Sequence, residues 1–267
     1  LRVLPAFGFA AFWSLLYWLN PLVIMQTFSG AHMDALLVPP LLAALWAART
    51  ARPALAGAAL GLAAGIKLWP LALAPILFRC FAARPRALAI SGAATAVVAA
   101  ASLAPLLASA GHGNSGLSAY AADWARNAFV FAALEQGIGT LGADPGALAR
   151  AIAAGLVGAV ALALALKPDS GAAFAPARAL TFVMVLLVLS PTAYPWYGVW
   201  AAALLPFAPS LGAALLAAGS AVYLLRFPNA LTGAEPPFLL LGLQTALPLA
   251  VHLYAERLRT RRAGARA

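Results

Sequence analysis

Cysteine is almost absent. Cys80 alone among 267 residues excludes a disulfide framework and any cysteine-ligated zinc or iron–sulfur site. Charge is scarce as well: Asp, Glu, Lys and Arg make up 9% of the chain, against about 25% in soluble domains. Seven acids and three histidines leave little material for a buried metal centre. Nucleotide hydrolysis and dinucleotide chemistry are disfavoured too, since the chain has no P-loop, no GxGxxG between strand and helix, no HExxH and no nucleophile elbow. What is abundant is apolar surface. Hydrophobic residues make up 64% of the chain and the mean hydropathy is +0.91, more than a water-soluble core of this size can hide. The composition is that of an integral membrane protein.

The net charge of +10 does not point to nucleic acid. The basic residues sit in short clusters between apolar runs, as the positive-inside rule requires, and Arg257, Arg259, Arg261, Arg262 and Arg266 crowd the C-terminus. Leu1 is not an initiator methionine, and the opening run lacks the cleavage site of a signal peptide. The expectation is a chain whose N-terminal part lies upstream, or a fragment.

A crossing helix needs about 20 apolar residues. The candidate spans are 3–28, 35–48, 87–108, 147–166, 179–193, 196–209, 210–225 and 237–255, with Pro39-Pro40 interrupting the second. Segment 54–78 is long enough to cross, yet it carries Lys67 in its middle and Pro70 three residues later. A full crossing would separate Arg49 and Arg52 from Arg79, Arg84 and Arg86. A re-entrant hairpin turning at Lys67–Pro70 keeps both clusters on the cytoplasmic side. The expected fold is therefore all-α: a polytopic helical bundle of about eight transmembrane helices plus one re-entrant hairpin. Residues 1–256 form one transmembrane domain, followed by a basic cytoplasmic tail over 257–267. Loops 20–34, 109–146, 190–197 and 226–236 then face outward, and they hold Asp34, Asp123, Glu135, Asp144 and Glu235. Chemistry is expected on the outer face.

Four stretches could carry it. Asn20-Pro21 leads to Gly30-Ala31-His32-Met33-Asp34. Asp34 can simply cap a helix, or, with His32, line an external cavity for a sugar hydroxyl, a phosphate or a divalent ion. Two ligands fall short of a metal set, so no cofactor is assigned, although a divalent cation is compatible. The second stretch, 57–70, places Lys67 at membrane depth. Such an ionisable group is costly and functional by default, with a lipid phosphate as a suitable counter-ion; the plainer role is a snorkelling lysine. The third, 109–136, holds Tyr120 and Trp124, which suit an interfacial belt, and also Arg126 and Asn127. Arg126 can clamp a phosphate bidentately. In the fourth, Ser190-Pro191 leads to Tyr194-Pro195-Trp196-Tyr197 and Trp200, an external turn whose rings suit belt anchoring or the apolar face of a sugar or isoprenoid.

In these stretches the chain resembles the polytopic GT-C glycosyltransferases, and most of all glycosyltransferase family 87, the DUF2029 group of bacterial polyprenyl-phosphate-mannose-dependent mannosyltransferases. The likeness lies in Asn20-Pro21 with Gly30 to Asp34, in Gly61 to Pro70, in Trp124-Ala125-Arg126-Asn127, and in Ser190-Pro191 with Pro195-Trp196-Tyr197, in that order along the chain. It implies a multi-pass enzyme of the bacterial inner membrane, with its C-terminus cytoplasmic. A hexose, mannose above all, would pass with inversion from a polyprenyl phosphate to a lipid or glycan acceptor on the outer face, among membrane lipids and without nucleic acid. The resemblance further implies a catalytic aspartate in a loop that would precede Leu1, which leaves Asp34 as the stand-in carboxylate. Tyr194 stands where relatives have histidine. Lys67 and Arg126 would meet lipid phosphate, and Trp124 and Asn127 would share that external site. His32 and Asp34 would line the sugar or acceptor site, and Tyr194, Trp196 and Tyr197 would shape the donor cavity. Two other classes fit the same composition: a transporter or flippase for an amphiphile, and a non-catalytic remnant lacking the N-terminal loop.

Overall fold

The computed structural model describes residues 3–110, 128–140, 144–168, 174–219 and 238–264. Every regular element among them is helical. The run 3–28, expected as one span, is instead divided into Val3–Ala6, Ala11–Ser14, Leu15–Trp18, Pro21–Val23 and a π-helical turn Ile24–Ser29. Backbone chemistry explains the breaks. Gly8 adopts a φ of 82°, which no right-handed helix accommodates. Pro21 forces Asn20 out of the helical region, and Asn20 Oδ1 then accepts the Leu22 N–H at 3.0 Å as an N-cap. At Gly30–His32 the chain bends again, so that Pro21–Ser29 and Met33–Arg49 meet at 109°.

Beyond a 3-10 turn at Met33–Leu37 runs helix α1, Val38–Arg49. Pro39 and Pro40 lie in its first turn, where a missing N–H costs nothing. The pair starts this helix rather than interrupting it. Helix α2 follows over Pro53–Ile66. Its 14 residues rise about 21 Å, short of the roughly 30 Å of a hydrocarbon core. Lys67 is extended, at φ −150° and ψ 142°, and the chain reverses. Short turns at Trp69–Leu73, Ala74–Leu77 and Phe78–Phe81, two of them opened by Pro70 and Pro75, return it until Cys80 Sγ lies 3.5 Å from the Ala48 carbonyl. Both arginine clusters thus share the base of the hairpin, and Lys67 occupies its tip.

Helix α3, Pro85–Ala110, runs parallel to α2, because Gly57, Gly61 and Gly65 meet Ser91, Thr95 and Ser102 in turn. The contact is backbone to backbone: a Cβ on Gly61 would lie 2.7 Å from the Thr95 carbonyl oxygen, and one on Gly57 would overlap that of Ser91. Glycine every fourth residue lets apolar helices approach this closely. The remaining helices are α4, Phe129–Gly139; α5, Pro145–Leu166; α6, Phe174–Leu189; α7, Gly198–Leu204; α8, Leu211–Gly219; and α9, Phe238–Gly264. The last extends through the arginines expected as a tail, up to Gly264.

Among the described residues, α3 and α5 are each long and apolar enough to cross a membrane, and the bent pair at 21–49 makes a third if it counts as one span. The eight expected crossings are not matched by that count. Hydropathy averages over a window, whereas turns at proline, glycine and Lys67 divide the runs 3–28 and 54–78 into helices of 14 residues or fewer.

The shared core gathers Leu41, Leu45, Leu60, Leu73, Ile76, Phe81, Leu180, Phe182 and Leu204, all fully buried. A polar chain ties α6, α8 and α9 together. The Ala213 N–H donates to Ser210 Oγ, which lies 2.7 Å from His252 Nδ1, while Nε2 lies 2.8 Å from Thr181 Oγ1. Thr181 donates its own proton to the Ala177 carbonyl, so the imidazole proton sits on Nε2 and every member is satisfied.

The glycine contact predicts opposite responses at two positions. Gly57→Ala is expected to lower the thermal unfolding midpoint in detergent micelles, with overpacking costing about 1–3 kcal/mol. Gly92→Ala, where nothing lies within 4 Å, should leave the midpoint unchanged or raise it.

Candidate functional site

The tip of the hairpin, the loop before α1 and the turn before α7 converge. Lys67 is released from α2 by its extended backbone, and its Nζ lies 2.8 Å from Asp34 Oδ1. Asp34 sits in the 3-10 turn at Met33–Leu37; its side chain is 4% exposed, that of Lys67 22%. The ammonium also stands 3.5 Å from the centroid of the Tyr197 ring and 4.8 Å from that of Trp200. A carboxylate thus offsets the charge and aromatic faces cover it. Each contact lowers the cost of holding a cation among apolar helices.

The loop before Asp34 is held from two sides. The His32 N–H donates to the Gln26 carbonyl at 3.0 Å, and Ala31 takes a φ of 47°, a left-handed conformation rare for alanine. The His32 ring stacks on Trp196 at 4.1 Å and 15°, and Tyr194 stacks on Trp196 at 4.4 Å and 13°. Two rings cannot share one face of an indole at such spacings, so Trp196 is sandwiched and offers neither face to a ligand. A second stack pairs Tyr197 with Trp200 at 4.6 Å, and Trp200 in turn approaches Trp69 at 4.9 Å.

Beside this assembly lies a cavity of about 520 Å³. Lys67, Trp69, Ser190, Tyr197 and Trp200 line it, with Leu103, Leu106, Leu186 and Leu187 supplying an apolar wall. A larger groove of about 720 Å³, between Tyr17, Trp46 and Phe207, has no charged residue in its lining. Charge therefore singles out the smaller cavity: one ammonium at the edge of a greasy chamber suits an anion carried on an apolar chain.

Of the residues singled out in the sequence, His32, Asp34, Lys67, Tyr194, Trp196 and Tyr197 come together here, though in two layers. Lys67 and Tyr197 line the cavity; Asp34 holds the lysine, while His32, Trp196 and Tyr194 form the stack behind it. Trp124, Arg126 and Asn127 lie outside the described residues. Trp69, two residues after Lys67, and Trp200, three after Tyr197, join the lysine and the tyrosine on the cavity wall. Both indole N–H groups are buried and lack a hydrogen-bond partner among the described residues. Their rings line the same cavity, while the nitrogens themselves are covered. No group of three His, Cys, Asp or Glu side chains converges among the described residues, and the partner of Asp34 is an ammonium.

Comparison with known proteins bears on the first part of this assembly. Residues 6–83 match the family model described as alpha-(1->6)-mannopyranosyltransferase, N-terminal domain. The matched stretch holds the loop with Asp34, helices α1 and α2 and the whole hairpin with Lys67, and it supports kinship with a mannosyltransferase family. No curated protein and no solved structure matches the chain.

The ion pair generates a double-mutant test. Lys67→Met alone strands the buried Asp34 carboxylate, and breaking a fully buried pair costs about 3–5 kcal/mol; the 22% exposure of Lys67 lowers that figure. Asp34→Asn alone should cost less, and the double variant should recover part of the loss of Lys67→Met. Thermal unfolding of all four proteins in one detergent measures the coupling, which should be clearly non-zero.

Proposed function

We propose that the chain is a membrane mannosyltransferase of the GT-C type, close to glycosyltransferase family 87, which takes mannose from a polyprenyl phosphate and passes it to an acceptor on the outer face. The observation that carries this reading is the single ammonium at the edge of an otherwise apolar cavity, Lys67 held by Asp34 at 2.8 Å, inside the stretch that matches a mannosyltransferase N-terminal domain.

The chemistry follows from the charges. In an inverting transfer the acceptor hydroxyl attacks the anomeric carbon, loses its proton to a base, and the bond from that carbon to the phosphate oxygen breaks. The phosphate begins as a diester with one negative charge and leaves as a monoester with two. A cation beside it therefore interacts more strongly in the transition state than in the ground state, which is the condition for catalysis. Lys67 supplies that cation, and the rings of Trp69 and Trp200 wall the space beside it. The leucines of the cavity receive the first isoprene units. The resemblance adds Arg126 as a second cation for the phosphate and assigns Trp124 and Asn127 to the same substrate.

Burial and the ion pair give Asp34 the role of positioning residue: it holds Lys67 in place. A carboxylate 4% exposed and already bonded is poorly placed to reach an acceptor hydroxyl. The stack of His32, Trp196 and Tyr194 keeps the Asp34 loop against the turn that supplies Tyr197.

Transfer from radiolabelled polyprenyl-phosphate mannose by membranes containing the chain tests the proposal. Lys67→Met should lower the rate by about 10²–10³-fold, the usual effect of removing one preorganised charge-stabilising donor, with Lys67→Arg retaining part of it. Wild-type rates in Lys67→Met membranes would overturn the assignment. Protein that binds the lipid but never releases mannose from it would replace transfer by carriage.

A further inference from the structure

We propose that the base of the hairpin binds an anionic phospholipid, with its phosphodiester on Arg79 and one acyl chain in the groove beside it. The groove encloses about 350 Å³ between the returning limb of the hairpin, the start of α3 and the end of α5, and Pro75, Phe78, Arg79, Leu88, Leu162 and Leu166 line it. It lies at the end of the hairpin opposite Lys67, apart from the cavity assigned to the sugar donor.

Arg79 is the observation that calls for a ligand. Three of its neighbours at the hairpin base have a partner: Arg49 donates to the Ala6 carbonyl at 3.2 Å, Arg84 to the Cys80 carbonyl at 3.2 Å, and Arg52 lies 4.7 Å over the Trp46 ring; the fourth, Arg86, is exposed. The guanidinium of Arg79 is half-buried and has no hydrogen bond, ion pair or ring contact among the described residues, although it carries five donors. The described acids are engaged elsewhere: Asp34 with Lys67, Asp144 with the Gly146 N–H and Glu256 with Arg259, while Glu135 lies beside Gly146. An unpaired guanidinium in an apolar groove is matched by an anion on an apolar chain, and guanidinium binds phosphate bidentately.

Charge around the groove selects the headgroup. Lys167 directly follows Leu166, a lining residue, and is exposed at the end of α5, so a second cation stands next to the groove. Basic pockets between membrane helices commonly hold acidic lipids in this way. A choline headgroup would bring its own positive charge beside these two; a glycerol headgroup brings none.

The test uses the full chain in detergent with equal amounts of phosphatidylglycerol and phosphatidylcholine, read by native mass spectrometry. The wild type should retain phosphatidylglycerol in preference. Arg79→Gln should cut that occupancy about tenfold, as expected for one charge-assisted contact, whereas Arg261→Gln, which removes the same charge from an exposed position near the end of α9, should not. Leu162→Trp, which fills the groove and leaves every charge in place, should lower occupancy too, and it decides the matter if Arg79→Gln fails to fold. Equal retention of both lipids by the wild type, equal losses in Arg79→Gln and Arg261→Gln, or undiminished binding by Leu162→Trp would each overturn the proposal.

Discussion

An ammonium at the end of an apolar helix must find its counter-charge inside the protein, and the pairing of Lys67 with Asp34 meets that need. Most of the architecture near the site can be traced to it. Helix α2 ends where the lysine leaves the helical conformation, the chain before α1 bends by 109° to present Asp34, and Tyr197 and Trp200 close over the charge. Water would satisfy such a lysine with no help from the fold. Among apolar helices the carboxylate and the rings have to do so, and each must come from a different element.

The hairpin shows how two requirements are met by one stretch of sequence. Gly57, Gly61 and Gly65 bring α2 close against α3 with no side chain of α2 between them, which fixes the height of the tip. Pro70 and Pro75 then keep the returning limb from forming a second regular helix, since a proline in a helix interior removes a hydrogen bond and clashes with the turn before it. The result is a stiff outward limb and an irregular inward one. The outward limb positions Lys67, and the inward limb supplies Trp69 to the cavity and Arg79 to the base.

Much of this is legible in the residues themselves. A lysine among apolar neighbours with a proline three residues on marks the reversal, and paired arginine clusters mark its base. His32 and Asp34 stand out because charged and titratable groups are rare in so apolar a chain, and Tyr194 and Tyr197 because rings and prolines crowd one short stretch. Their division into a cavity layer and a supporting layer is not legible, because stacking depends on how two loops far apart in sequence approach each other. The indole rings of Trp69 and Trp200 look like ordinary belt residues until the cavity they line is seen. The division of 3–28 is hidden for a related reason. Its mean hydropathy is that of a span, while Gly8 and Asn20-Pro21 act on backbone angles, to which hydropathy is blind.

The ring over Lys67 belongs to the second half of the chain, while its carboxylate partner lies 33 residues before it. At a synthesis rate of about 5–20 residues per second, Trp200 follows Lys67 out of the ribosome by on the order of ten seconds. Through that interval the carboxylate partner of Lys67 is already made and its rings are not. In the order of synthesis the ion pair therefore precedes the cavity: charge is matched first, and the turn at Tyr194–Tyr197 adds the aromatic cover afterwards.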